Sequence, residues 1–288
     1  MSGRLFCFGF GYVAKALAAR LADKGWNIAG TTRSEEKADE MRKAGVAPVI
    51  WDGETLGGGS LDGATAILIS TPPGDQGCPA LLSAGQAIAA QKGAIGWVGY
   101  LSTNGVYGDY GGAWVYEASA LKGTSARARR RIEAEEAWRR FCAGCDLPLT
   151  IFRLPGIYGP GRSALDTVRA GKAKRIYKKD QVFSRMHVDD IAAALEASMT
   201  PRRAHELYNL CDDEPAAPQD IVACACGLLG VEPPPLIPIE DAALSEMAQS
   251  FYADNKRVSN QRMKSALGVA LTYPTYREGL TAILKAGG

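Results

Sequence analysis

Histidine is nearly missing from this chain: His187 and His205 are the only two in 288 residues. That is too few for a histidine-rich metal site, and no metal is expected. Cysteine occurs seven times but in no pattern of paired spacings. Cys142-x-x-Cys145 stands without a second pair at zinc spacing, and a chain this long with so few thiols is not a disulfide scaffold. Free thiols in a reducing cytoplasm are expected instead. No apolar run reaches the ~18 residues that suggest a membrane span. The net charge is only +2, which leaves no electrostatic case for nucleic acid or membrane partners. Internal repeats and low-complexity segments are missing too. Arg4 ahead of an apolar run superficially resembles a signal peptide, but the same residues complete a strand–turn–helix unit and are read as that.

What is present starts near the N-terminus. Leu5-Phe6-Cys7-Phe8 reads as a short buried strand, and Gly9-Phe10-Gly11-Tyr12-Val13-Ala14 as a tight turn opening a helix. Gly9, Gly11 and Ala14 occupy the three small-residue positions of G-x-G-x-x-G/A. The chemistry demands small residues there. Gly9 turns the chain sharply, Gly11 lets a pyrophosphate approach the backbone, and Ala14 packs the helix close to its strand. The helix N-terminus offers free N–H groups and a positive dipole end to phosphates. Val13, Ala16, Leu17 and Leu21 share one helical face, and Gly25 is a plausible stop.

Trp26 to Thr32 reads as a second strand. An NAD site usually carries Asp or Glu at the end of this strand to bind the ribose hydroxyls. Here the strand ends Thr31-Thr32-Arg33, with Lys37 nearby. A guanidinium suits a 2′-phosphate through bidentate, charge-assisted bonds, so NADP is the expected cofactor, with NAD as the alternative. Ser34–Ala44 reads as a helix and Val46–Trp51 as a strand ending at Asp52-Gly53. Ala66–Ile69 is a fully apolar strand followed by Ser70-Thr71-Pro72. Residues beyond the carboxyl ends of parallel strands are where such sheets hold ligands. A helix is expected around Ala80–Gln91 and a fifth strand over Trp97–Leu101. The alternation predicts an α/β fold, a doubly wound parallel Rossmann sheet with a smaller, mostly helical C-terminal substrate domain.

Leu101-Ser102-Thr103-Asn104-Gly105-Val106-Tyr107-Gly108 resembles the Ser/Thr-x-x-Val-Tyr-Gly segment of the extended short-chain dehydrogenases/reductases, which include NAD(P)-dependent epimerases and dehydratases. Phe152-Arg153-Leu154-Pro155-Gly156-Ile157-Tyr158-Gly159-Pro160, His187-Val188-Asp189-Asp190-Ile191-Ala192 and Tyr208-Asn209-Leu210 are similar to later motifs of that family, in the expected order. The resemblance implies a nucleotide-binding domain over 1–154 plus 184–213 and a substrate domain over 155–183 plus 214–288. Cofactor contacts are expected at Gly9, Phe10, Gly11, Tyr12, Val13, Ala14, Thr32, Arg33, Asp52, Gly53, Ser70, Thr71, Pro72 and Pro155, and the resemblance implies that Asp52 contacts the adenine. It implies Thr103 as the active-site hydroxyl. His187 is read as a packing residue, and Asp189 or Asp190 as a helix cap.

The chain also departs from the family. The Tyr-x-x-x-Lys expected 24 or 25 residues after the active-site hydroxyl is absent; counting from Thr103 gives Arg127 and, four further, Arg131. Arginine cannot serve as a base near pH 7, since its pKa exceeds about 12. Nearby Tyr107, Tyr110 and Tyr116 are the candidate replacements as acid or base. Gly156 and Phe183 stand where many nucleotide-sugar enzymes carry Asn and Arg that hold a nucleoside diphosphate. The run Arg127–Arg131 is expected to open a helix with its charges in the unfavourable order for the macrodipole, offset by i,i+4 pairing to Glu133, Glu135 and Glu136. Arg127 and Arg131 share one face and are set beside the cofactor as catalytic candidates with Thr103; Arg129 and Arg130 are expected to point elsewhere. The reading is therefore an atypical NAD(P)-dependent reductase, epimerase or dehydratase acting on a small-molecule substrate, an anionic one being compatible, as is a homodimer. The alternative is a non-catalytic NADP-binding sensor.

Overall fold

Leu5, Phe6, Cys7 and Phe8 form an unbroken apolar strand because both faces of the sheet around them are covered. The computed structural model describes residues 2–200 and 206–287; His205 lies outside them. The first half of the chain runs β1 (Arg4–Phe8), α1 (Tyr12–Ala22), β2 (Asn27–Thr32), α2 (Glu35–Lys43), β3 (Ala47–Ile50), β4 (Ala66–Ile69), α3 (Pro79–Ala90), β5 (Trp97–Thr103), β6 (Trp114–Val115) and α4 (Ala126–Cys145). There follow β7 (Leu149–Leu154), β8 (Gly156–Tyr158), α5 (Ala164–Arg169), β9 (Arg175–Tyr177), β10 (Arg185–His187), α6 (Val188–Ser198) and β11 (Glu206–Asn209). The last part holds α7 (Pro218–Leu229), β12 (Leu236–Pro238), α8 (Glu246–Ala253), β13 (Arg257–Val258), α9 (Gln261–Leu267) and α10 (Tyr276–Lys285).

Seven strands form one sheet in the order β3-β2-β1-β4-β5-β7-β11, every neighbouring pair parallel. This is the doubly wound arrangement, and the strand order reverses between β1 and β4. Alternate residues feed two cores. Leu5, Cys7 and Leu68 pack with Leu17 of α1 and Leu195 of α6 on one face, and Met263 and Leu267 of α9 join them. Phe6, Phe8 and Ile67 pack with Ile88 of α3 and Trp138 of α4 on the other. A separate cluster of Tyr158, Leu165, Tyr276, Leu280 and Ile283 lies among α5, α7 and α10. The small parallel pairs β8–β10 and β9–β12 belong to this part of the chain. The expected parallel sheet and helical C-terminal region are both present.

One cap differs from expectation. The N-cap of α6 is His187, whose Nδ1 accepts from the Asp189 amide at 3.2 Å. Asp190 is buried instead and accepts from the amides of Thr272 and Tyr273 at 2.8 and 2.9 Å, tying the segment before α10 to α6. Asp189 is exposed. The cap assignment to an aspartate is corrected: the carboxylate one turn in is close enough to serve a distant loop, and the imidazole takes the cap.

Candidate functional site

The turn after β1 has the geometry its glycines foretell. Gly9 sits at φ +83°, in the left-handed region that favours glycine. Its amide donates to Thr31 Oγ1 at 2.7 Å, and the Phe10 amide donates to the Thr31 carbonyl at 3.1 Å. Gly11 is the N-cap of α1 with no side-chain cap, and a Cβ there would meet nothing within 4 Å. The first-turn N–H groups of α1 are thus left for an incoming anion. Val13 and Ala14 are buried in the core, and the Phe10 ring packs on Gly30, so these residues offer a ligand only backbone. Tyr12 donates from its hydroxyl to the Pro160 carbonyl at 3.0 Å.

Beside this turn lies a cavity of about 270 Å³ lined by Gly9, Thr31, Thr32, Arg33, Trp51, Asp52, Gly53, Glu54, Thr71, Pro72 and Pro79. Of the expected cofactor contacts, Gly9, Thr32, Arg33, Asp52, Gly53, Thr71 and Pro72 meet here. Ser70 is not on this wall; its amide closes the turn by donating to the Phe8 carbonyl at 2.9 Å. Arg33 is exposed and has no hydrogen-bond or ion-pair partner among the described residues. Asp52 is exposed, and its Oδ1 accepts from the Glu54 amide at 2.8 Å; such backbone bonds hold its carboxyl below the usual range. Trp51 Nε1 and Thr71 Oγ1 are buried without a partner. Buried orphan polar atoms on a cavity wall call for a partner. With the open space at Gly11 and the uncapped helix, they fit an adenosine and pyrophosphate. Trp51 was not singled out from the sequence, although it follows a parallel strand end, which is the signal that could have found it.

Two further cavities meet at Thr103. The smaller, about 140 Å³, is bounded by Pro72, Pro73, Thr103, Gly105, Arg127, Arg130, Arg131 and Phe251 among others. The larger, about 550 Å³, shares Thr103, Arg127 and Phe251 and extends past Pro155 to Tyr158, Phe183, Arg185 and Tyr276. Pro155 therefore stands on this second wall and not at the cavity beside Gly9. Thr103 Oγ1 accepts from the Gly105 amide at 3.1 Å, capping the short 3-10 turn after β5. That bond uses a lone pair and leaves the O–H free to donate.

Arg127 and Arg131 are brought together with Thr103 as expected. Arg127 lies over the Phe251 ring at 5.4 Å, and Arg131 Nη1 donates to the Leu101 carbonyl. Arg129 is turned to the Thr124 carbonyl. Arg130 contradicts its expectation: it lines the smaller cavity and pairs with Asp75 at 2.5 Å. It sits three residues on from Arg127, which still falls on the same helical flank. None of the three candidate tyrosines lines either cavity at Thr103. Tyr107 is buried and donates to Asn209 Oδ1 at 2.6 Å, and burial pushes its hydroxyl pKa up. Tyr110 donates to the Ala120 carbonyl at 2.8 Å, and Tyr116 is exposed.

Beneath Thr103 is a buried ionic network that the sequence did not announce. Glu135 and Arg153 are fully enclosed and doubly bonded, Nε to Oε1 at 3.1 Å and Nη2 to Oε2 at 2.7 Å. Ser102 donates to Glu135 Oε1 at 2.6 Å, and Arg153 Nη1 donates to the Tyr107 hydroxyl at 3.0 Å. The expected pairing of Glu133, Glu135 and Glu136 with the arginines before them is corrected. The i,i+4 pairs run the other way, Glu135 to Arg139 and Glu136 to Arg140 at 3.5 and 3.6 Å. The N-terminus of α4 is capped by Ser125, which accepts from the Ala128 amide at 3.2 Å.

No family model matches the chain. A structure of a functionally unknown conserved protein from Silicibacter pomeroyi is 47% identical, covers 99% of each chain and superposes with a TM-score of 0.91. Protein YeeZ of Escherichia coli is 24% identical over 92% of this chain and 94% of its own length. The dTDP-glucose 4,6-dehydratase of Bacillus anthracis, solved in complex with NAD, is 16% identical and covers 99% of this chain and 96% of its own, with a TM-score of 0.78. At that identity the likeness is one of fold.

Proposed function

We propose, for a chain with the fold of the extended short-chain dehydrogenases/reductases, an NAD(P)-dependent reductase, dehydrogenase or epimerase-type activity on a small molecule, with NADP preferred. The observation that carries this is the meeting of Thr103, Arg127 and Arg131 at cavities adjoining the Pro72 wall of the adenosine cavity. A bound nicotinamide would supply or accept the hydride. The chain's own residues bind, orient and stabilise. The first turn of α1 holds the pyrophosphate, and Arg33 holds a 2′-phosphate. The Thr103 hydroxyl donates to a substrate carbonyl oxygen. Arg127 and Arg131 keep their charge at any working pH and stabilise negative charge as it develops on that oxygen. Arg131 is held for this by the Leu101 carbonyl.

A second reading has one observation in its favour. Among the described residues, the wall of the larger cavity carries no histidine or carboxylic acid, and burial raises the pKa of its Tyr158 and Tyr252 hydroxyls. A protein that binds NADP and does not turn over would need no proton carrier there. Alanine substitution separates the readings. Arg127→Ala and Arg131→Ala are expected to weaken ligand binding or turnover by about tenfold or more, the scale of one charged hydrogen bond. Arg129→Ala leaves both unchanged, and melting temperatures stay close in all three. Equal behaviour of the three variants in NADPH titration and activity assays would make the run a charged helix face and favour the sensor.

A further inference from the structure

We propose that the larger cavity binds a small organic anion with an apolar, ring-bearing body, its anionic group held by the guanidinium of Arg185. This rests on the reading of that cavity as the substrate site and goes beyond it in naming the substrate class and a residue that reads it.

The charge on the wall is of one sign. Arg127, Arg162 and Arg185 reach it from α4, from the turn before α5 and from β10, and no carboxylate lines it among the described residues. Arg185 is the enclosed one. Its Nη2 donates to the Ala216 carbonyl at 3.3 Å, while Nη1 is buried without a hydrogen-bond partner. A buried charged donor without an acceptor is costly, so such a group in a native fold calls for a ligand or water to complete it. Arg185 also lies over the Tyr276 ring at 5.5 Å from its centroid.

The nearby acid does not cancel this charge. The Asp212 amide donates to the Arg185 carbonyl at 2.7 Å, but no ion pair joins the two side chains, and Asp212 Oδ2 is itself an orphan. Burial pushes the Asp212 carboxyl up to about 8, against the pull of the nearby Arg185 charge. Arg185 remains cationic regardless.

The rest of the wall is apolar. Phe183 and Tyr252 meet edge-on with ring centroids 5.4 Å apart, and Tyr158, Phe251 and Leu280 complete the surface. Ring faces with guanidinia laid on them suit a flat apolar body ending in a negative group. They suit a nucleoside diphosphate poorly. Gly156 and Phe183 stand on this wall where the family resemblance places diphosphate-binding Asn and Arg.

The test is calorimetric titration of the whole protein, with and without NADPH, using 3-phenylpropionate, 3-phenylpropanol, acetate and UDP. Expected is a 3-phenylpropionate affinity about tenfold or more above those of the alcohol and acetate, as one charge-assisted bond allows, and above that of UDP. Arg185→Met erases the preference for the acid over the alcohol, Arg185→Lys restores part of it, and Arg129→Met keeps it. Equal binding of acid and alcohol, tighter binding of UDP, or no binding of any probe overturns the proposal, and so does an unchanged preference in a folded Arg185→Met protein. The comparison among ligands on the parent protein stands even if that variant does not fold. NADPH binding without 3-phenylpropionate binding sinks this inference alone; the reverse outcome sinks the cofactor reading alone.

Discussion

Single residues carried more of the site than their types disclosed. Asp212 reads in the sequence as one more acid in an Asp-Asp-Glu run, yet it is buried with one oxygen unpartnered. Nothing in a one-dimensional pattern marks which member of such a run turns inward. The consequence is measurable. An unfolded aspartate ionises near pH ~3.9, whereas burial holds the folded carboxyl up at about 8. Between those values the folded state binds more protons than the unfolded one, so stability falls as pH rises through the window. Asp212→Asn removes the titration and keeps an oxygen to accept from the Glu214 amide, now bonded at 3.3 Å. Urea unfolding should show the variant more stable than the parent at pH 8, with the gap shrinking toward pH 4. A gap that does not change with pH would mean the carboxyl is ionised in the fold. His187 was legible as a packing residue: burial lowers its pKa, and its Nδ1 is spent on a backbone amide.

At the scale of elements, α4 shows where the reading of charges fails. The arginine run and the acids after it were legible as a helix, and α4 forms over Ala126–Cys145. Pairing was not legible, because a strand residue far along the chain competes for the same carboxylate. Glu135 faces inward to Arg153 of β7, and together with Ser102 of β5 and Tyr107 it braces the strand end that carries Thr103. A helix face and a sheet face meeting in three dimensions decide that pair, not an i,i+4 interval. Removing one member leaves the other charge buried and uncompensated, a loss of about 3–5 kcal/mol. Glu135→Gln should therefore lower the unfolding free energy measured in urea by an amount of that order. The double variant Glu135→Met with Arg153→Met should lose less than the sum of the single changes, since no charge is then stranded. Strict additivity would show that the two side chains do not act as a unit.

At the scale of the molecule, the doubly wound sheet was readable because its signals repeat: apolar strands, helices between them, and glycines at the first turn. Each strand end then delivers residues to the same edge. The reversal of strand order between β1 and β4 opens the crevice where Gly9 and Thr71 face each other. The cavity beside Gly9 was legible for that reason. The cavity beyond Thr103 was legible only at Thr103, Arg127, Pro155, Gly156 and Phe183, because the rest of its wall comes largely from α8, α10 and Arg185 of β10, residues far apart in the chain that carry no motif in common. The choice of cofactor lies in the legible cavity. Arg33 follows directly on β2 and lines the cavity with no partner of its own. Arg33→Asp replaces a free guanidinium with a carboxylate, which repels a 2′-phosphate and accepts from ribose hydroxyls. NADPH should bind the parent more tightly than NADH. In the variant the order should reverse, with NADPH affinity falling by a factor of about ten or more as the charged bond is lost. Arg33 is exposed and bonded to nothing among the described residues, so the melting temperature without cofactor should stay where it is. Fluorescence titration with the two reduced cofactors decides the matter. Equal affinities in the parent would mean that the 2′-phosphate is not read at Arg33.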